Sequence, residues 1–144
     1  MKRILLVIFI SITLPIHANE NAREKKIAKY VMENIQKDYV NCYSFYKVAA
    51  ESFKKAGKEK QLIDSLEKSA DVTLKFNHDL GEVLGFLPET MAKITKKEVE
   101  KFTKIAKKDF ESLAKKYGPV CRNLVENQKQ RIDYWEKKGN KKIK

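Results

Sequence analysis

From Ala28 onward, apolar side chains recur at Val31, Met32, Ile35, Tyr39, Cys42, Phe45, Tyr46, Ala49 and Phe53. Steps of three and four keep one face of a helix inward, and glycine stops such a run. The pattern predicts a first helix from about Ala22 to Ala56, ended by Gly57, with Asp38 and Asn41 leaving room for a bend. A second stripe reads Leu62, Ile63, Leu66, Ala70, Leu74, Asn77, Leu80 and Leu84, and breaks up at Gly81, Gly85 and Pro88. Gly85-Phe86-Leu87-Pro88-Glu89 is the clearest interhelical connection, with Pro88 opening a short turn of helix through Ile94.

Thr95-x-x-Glu98 then has the form of a capping box, ahead of a third stripe at Val99, Phe102, Ala106, Phe110, Leu113 and Tyr117. Gly118-Pro119 predicts the end of that helix and the start of a fourth, whose stripe is Cys121, Leu124, Val125, Gln128, Ile132 and Trp135. From Gly139 the chain is lysine-rich and nearly free of apolar residues, so a basic disordered tail is expected over 139–144. No stretch alternates as a strand would, and no internal repeat is visible. The expected fold is all-α, an antiparallel four-helix bundle over 19–138 with a long first helix. The a/d-like spacing suits a homodimer as well.

The first eighteen residues stand apart from this pattern. Met1-Lys2-Arg3 precedes an apolar run from Ile4 to Ile16, then His17-Ala18 and a polar stretch. This is the form of a signal peptide cleaved after Ala18, and the run is shorter than the roughly 20 residues of a membrane-spanning helix. Removing eighteen of 144 residues leaves 126, the size of one domain. The expected location is the periplasm or the extracellular space, with no transmembrane segment in the mature chain.

An oxidising location changes the meaning of Cys42 and Cys121. Both lie on apolar stripes, and together they predict one inter-helix disulfide. Closing a loop of about 80 residues contributes ~4 kcal/mol by loss of unfolded-chain entropy. Cys121 opens the fourth helix while Cys42 lies about four turns from the end of the first, so pairing requires the first helix to overshoot the fourth or to bend near Asn41. A redox-catalytic role is not expected: there is no Cys-x-x-Cys and no histidine beside either thiol.

Charge bounds the partners. The 31 basic residues, less Lys2 and Arg3, face 19 acidic ones, a net +10 for the mature chain. Only Arg23, Arg122 and Arg131 of those are arginine. Lysine is a point charge without the fork that reads bases, so specific nucleic-acid binding is not expected, whereas weak attraction to polyanions or the cell envelope is. Lys97, Lys101, Lys104, Lys108 and Lys115 follow helical spacing opposite Phe102 and Phe110 and form a candidate interaction surface. Tyr43, Phe45 and Tyr46 form a candidate aromatic groove, with core packing the competing explanation. His78 is the sole histidine after residue 18; with Met32 it would make the axial pair of a bundle haem, although a plain surface histidine is the commoner case.

No catalytic set, glycine-rich phosphate loop or metal-binding spacing is present, so neither an enzyme nor a metal or cofactor site is expected. The expected function is binding: an inhibitor or immunity-type protein, or an adaptor, that contacts another protein. The alternatives are a periplasmic chaperone or stress protein, and a helical carrier of a small ligand such as haem or lipid.

Overall fold

A computed structural model describes the backbone of residues 14–144 and the side chains from Glu20 onward. Of the expected signal peptide, residues 1–13 lie outside the described residues, and 14–18 belong to the first helix. The chain forms four helices: α1 Leu14–Lys55, α2 Lys60–Val83, α3 Pro88–Glu126 and α4 Gln128–Lys142. Among the described residues there is no strand.

α1 is the spine. Its 42 residues span about 63 Å at 1.5 Å per residue, and α2, α3 and α4 all pack along it. Between Ile35 and Ala50 most of its side chains are buried, because helices cover it on several sides. α2 returns antiparallel after the Gly57 turn: Tyr39 stacks on Phe76 at 5.2 Å, and Gln36 Nε2 donates to Asn77 Oδ1 at 2.7 Å. Gly57 takes φ +65°, a conformation that costs a glycine little.

α3 is two limbs joined at a bend. Asp109 has φ −158° and ψ 85°, outside the helical range. Phe102 and Tyr117 reveal how sharp the bend is. In a straight helix these two residues would be about 22 Å apart, yet their ring centroids lie 4.6 Å apart. The chain therefore doubles back. Asp109 caps the new limb itself, its Oδ1 accepting from the Ser112 amide at 2.9 Å.

Limb 88–108 runs in the direction of α1, with Met91 beside Gln36 and with Ala106 and Lys107 beside Ser52 and Lys55. Limb 110–126 runs back, with Phe110 on Phe53 and Cys121 bonded to Cys42. α4 continues in the same direction: Arg131 meets Asp38, Gly139 lies against Ile27 and Tyr30, and Arg23 donates to the carbonyls of Asn140 and Ile143. The bundle is thus up-down-up-down, and its fourth member is composite.

This arrangement corrects four expectations. The third and fourth strokes of the bundle meet at Asp109 and not at Gly118-Pro119; helix continues through Pro119 because Cys121 and Leu124 on the next turns bury completely. Cys121 therefore falls inside the returning stroke, and its Cα stands 5.2 Å from that of Cys42 without a bend in α1. Thr95 caps nothing: it sits buried inside limb 88–108 and accepts from Asn77 Nδ2 at 3.3 Å. Finally, the segment from Gly139 is no disordered tail up to Lys142. It is the last turn of α4, with Gly139 buried and a Cβ at its position lying a tight 3.2 Å from Ile27 and Tyr30 of α1.

The core is one cluster around Ile35, Tyr39, Cys42, Phe45, Tyr46, Val48, Ala70, Phe102, Leu113, Cys121 and Leu124. The disulfide lies inside it, both cysteines being almost inaccessible to solvent.

Candidate docking surfaces

The residues singled out by sequence do not gather at one site. Phe45 and Tyr46 are core residues with ring centroids 5.5 Å apart, and Tyr43 packs half-buried against the same cluster. Tyr46 reaches a surface cleft of about 660 Å³ between α2 and limb 110–126, and Tyr43 and Phe45 are not among the residues that line it. His78 is exposed on α2, while Met32 lines a different groove, between α1 and α4; His78 has no part in that groove. Of the five lysines, Lys97, Lys101, Lys104 and Lys108 are exposed on limb 88–108. Lys115 lies past the bend on the other limb and pairs with Glu111 at 2.6 Å. Lys101 pairs with Glu98 at 2.5 Å, and that hydrogen bond raises its pKa.

The same limb borders a feature the linear pattern does not display. α1 and limb 88–108 flank a groove of about 370 Å³, floored by Val48, Ser52, Val99, Thr103 and Ala106. The two floor hydroxyls are turned into their own helices: Ser52 Oγ donates to the Val48 carbonyl and Thr103 Oγ1 to the Val99 carbonyl, both at 2.8 Å. With its polar atoms already satisfied, the floor presents small apolar surface. Lys47, Lys55 and Lys107 rim it, with Glu51 the sole acidic side chain among its lining residues. None of the three lysines has an ion-pair partner among the described residues.

The opposite end of limb 88–108 has a different character. At the α2–α3 hairpin, Val83 is 69% exposed, Leu87 67% and Phe86 38%. Exposed apolar side chains that cluster, unlike ones scattered singly, mark a candidate interaction surface. Gly85 shapes the turn at φ +77°, which holds these residues at the tip. Around them stand Asp79, Glu82 and Glu89, all exposed and unpaired among the described residues. Hydrophobic periodicity marks this hairpin only as a connection. A signal was there: between Lys75 and Lys93 the chain carries three acidic residues and neither lysine nor arginine.

A third cluster is structural. Asp38, with its side chain 10% exposed, accepts from Arg131 Nε at 2.6 Å, Arg131 Nη2 at 3.1 Å and Trp135 Nε1 at 2.6 Å. The Arg131 guanidinium also lies over the Tyr134 ring at 4.4 Å. Lys138 and Arg131 beside Tyr134 lower its pKa, the Lys138 hydrogen bond most. This cluster fastens α4 to α1.

Among the described residues no helix is long and apolar enough to cross a membrane, and no group of histidine, cysteine or acidic side chains is placed to hold a metal ion. No family model, curated protein or solved structure matches the chain.

Proposed function

We propose that this protein works by docking to another protein, as an inhibitor, immunity-type or adaptor protein outside the reducing cytosol. The observation that carries the reading is the hairpin tip. Val83 and Leu87 stay in water, with Phe86 partly exposed beside them, although the same chain buries a full core elsewhere. Burying such residues in a partner returns roughly 25 cal/mol per Å² of apolar area, and a desolvated aromatic or leucine anchor within a polar rim is how binding energy concentrates at an interface. The acidic rim supplies register and discrimination. The buried Cys42–Cys121 bond supports the location, because disulfides persist where thiols are not kept reduced.

The test is a tip variant, Val83→Lys with Leu87→Lys, whose changes fall on exposed side chains. Gel filtration of the tagged protein with the exported fraction of its host should give a discrete stoichiometric complex, with a partner identified by mass. The variant should lose that complex while keeping its helicity and its disulfide. A complex that survives in the variant contradicts the reading, as does tip-dependent binding to phosphatidylglycerol vesicles with no protein complex.

A further inference from the structure

The tip and the groove are complementary, and they sit at opposite ends of one limb. The tip is apolar and acidic: Val83, Phe86 and Leu87 among Asp79, Glu82 and Glu89. The groove is apolar and basic: Val48, Val99 and Ala106 beneath Lys47, Lys55 and Lys107. From Leu87 to Val99 is 12 residues and to Lys107 is 20, about 18 to 30 Å along a helix, so a tip cannot reach the groove of its own molecule.

We infer that the tip of one copy seats in the α1–α3 groove of a second copy, giving a head-to-tail assembly. Three observations select a second copy over other occupants. First, in a protein of net charge +12 the longest stretch beyond Arg23 free of lysine and arginine is the tip, so the chain itself carries an acidic surface that fits the basic groove. Second, the groove floor is built of valine, alanine, serine and threonine, small enough for a helical hairpin to approach closely, with its hydroxyls already bonded. Third, the floor is recessed between two helices under a lysine rim, which suits a protruding tip better than a flat lipid surface.

The contact joins two different patches, so it is heterologous. It leaves one free tip and one free groove on every dimer and extends until a ring closes or the chain of copies ends. The Glu and Asp side chains of the tip would meet lysines that have no partner of their own, which makes the assembly salt-sensitive. The inference rests on reading the tip as a docking surface and adds a second occupant for it, a copy of the chain, which the partner protein displaces.

Two variants test it by sedimentation equilibrium at about 0.1 M salt. Val83→Lys with Leu87→Lys disables the tip and leaves the groove; Lys47→Glu with Lys107→Glu disables the groove and leaves the tip. All four positions are exposed, and circular dichroism with intact mass checks that each variant folds and keeps its disulfide. The wild-type average mass should rise with concentration past that of a dimer. Either variant alone should stay monomeric, its self-association weakened at least about tenfold. Mixed together, the two variants should form a heterodimer and stop there, because only one working interface remains.

A wild-type protein that is monomeric at every concentration overturns the inference. So does a variant that assembles like the wild type, or a mixture that stays monomeric. A monomeric wild type that still forms a tip-dependent complex with a different protein would overturn self-association alone and leave the proposed function standing.

Discussion

At the scale of the residue, Asp38 is the group on which most depends. It accepts three hydrogen bonds, two from Arg131 and one from Trp135, in a place where water reaches it poorly. Removing one partner of such a pair leaves an uncompensated charge, at a cost of about 3 kcal/mol. Asp38→Ala should lose that much in denaturant unfolding. Trp135, the one tryptophan of the chain, should report the loosening of α4 in its fluorescence. Unchanged emission and an unchanged midpoint would mean that α4 is held by other contacts. Next to it, burial pushes the Tyr39 pKa from 10.0 to about 12, partly offset by the hydrogen bond from Gln128. The folded state keeps the Tyr39 proton where the unfolded chain loses it. Its contribution is therefore complete below pH 10 and is lost as pH rises from 10 to about 12. Tyr39→Phe should lose less stability than the wild type over that interval, and parallel curves of midpoint against pH for the two proteins would refute this.

At the scale of the element, helix type was legible in the chain and several boundaries were not. Stripes of three and four spacing placed α2 and the C-terminal end of α1, while α1 starts at Leu14, ahead of the expected Ala22. The reversal at Asp109 was hidden because Phe102, Ala106, Phe110 and Leu113 keep helical spacing straight through it. What turns the chain is tertiary: Phe102 packs on Tyr117 and Phe110 on Phe53, and only a fold-back allows both. Gly118-Pro119 misled for the converse reason, because local punctuation yields when the next turns are buried. The Lys-rich end misled too: composition suggested a tail, whereas the small size of Gly139 lets α4 press on Ile27 and Tyr30. If packing makes the bend, its cap is a minor part. Asp109→Ala should cost only about 1 kcal/mol, the usual worth of an N-cap, and leave the fold intact. A loss of several kcal/mol would show that the cap, and not the aromatic contacts, makes the turn.

At the scale of the molecule, the disulfide and the charge distribution matter most. The cysteine pair was legible from two apolar stripes and the N-terminal pattern, and the structure brings the two together across 79 positions of sequence. The docking surfaces were less so. The lysine set read from helical spacing mixes two limbs, since that spacing continues across Asp109 while the helix does not. The groove needs Lys47 and Lys55 of α1 beside Lys107 of α3, a juxtaposition that only the fold supplies. The tip is plain in the chain as an acidic, lysine-free stretch, but its importance lies in the exposure of Val83 and Leu87. Together they describe a molecule with an acidic apolar end and a basic apolar side. The most direct measurement is zero-length carbodiimide cross-linking of an equal mixture of unlabelled and fully nitrogen-15-labelled protein, read by mass spectrometry. Docking of tip to groove predicts cross-links of mixed isotope composition from Asp79, Glu82 or Glu89 to Lys47, Lys55 or Lys107. Cross-links confined to single copies, or joining other pairs of residues, would contradict it.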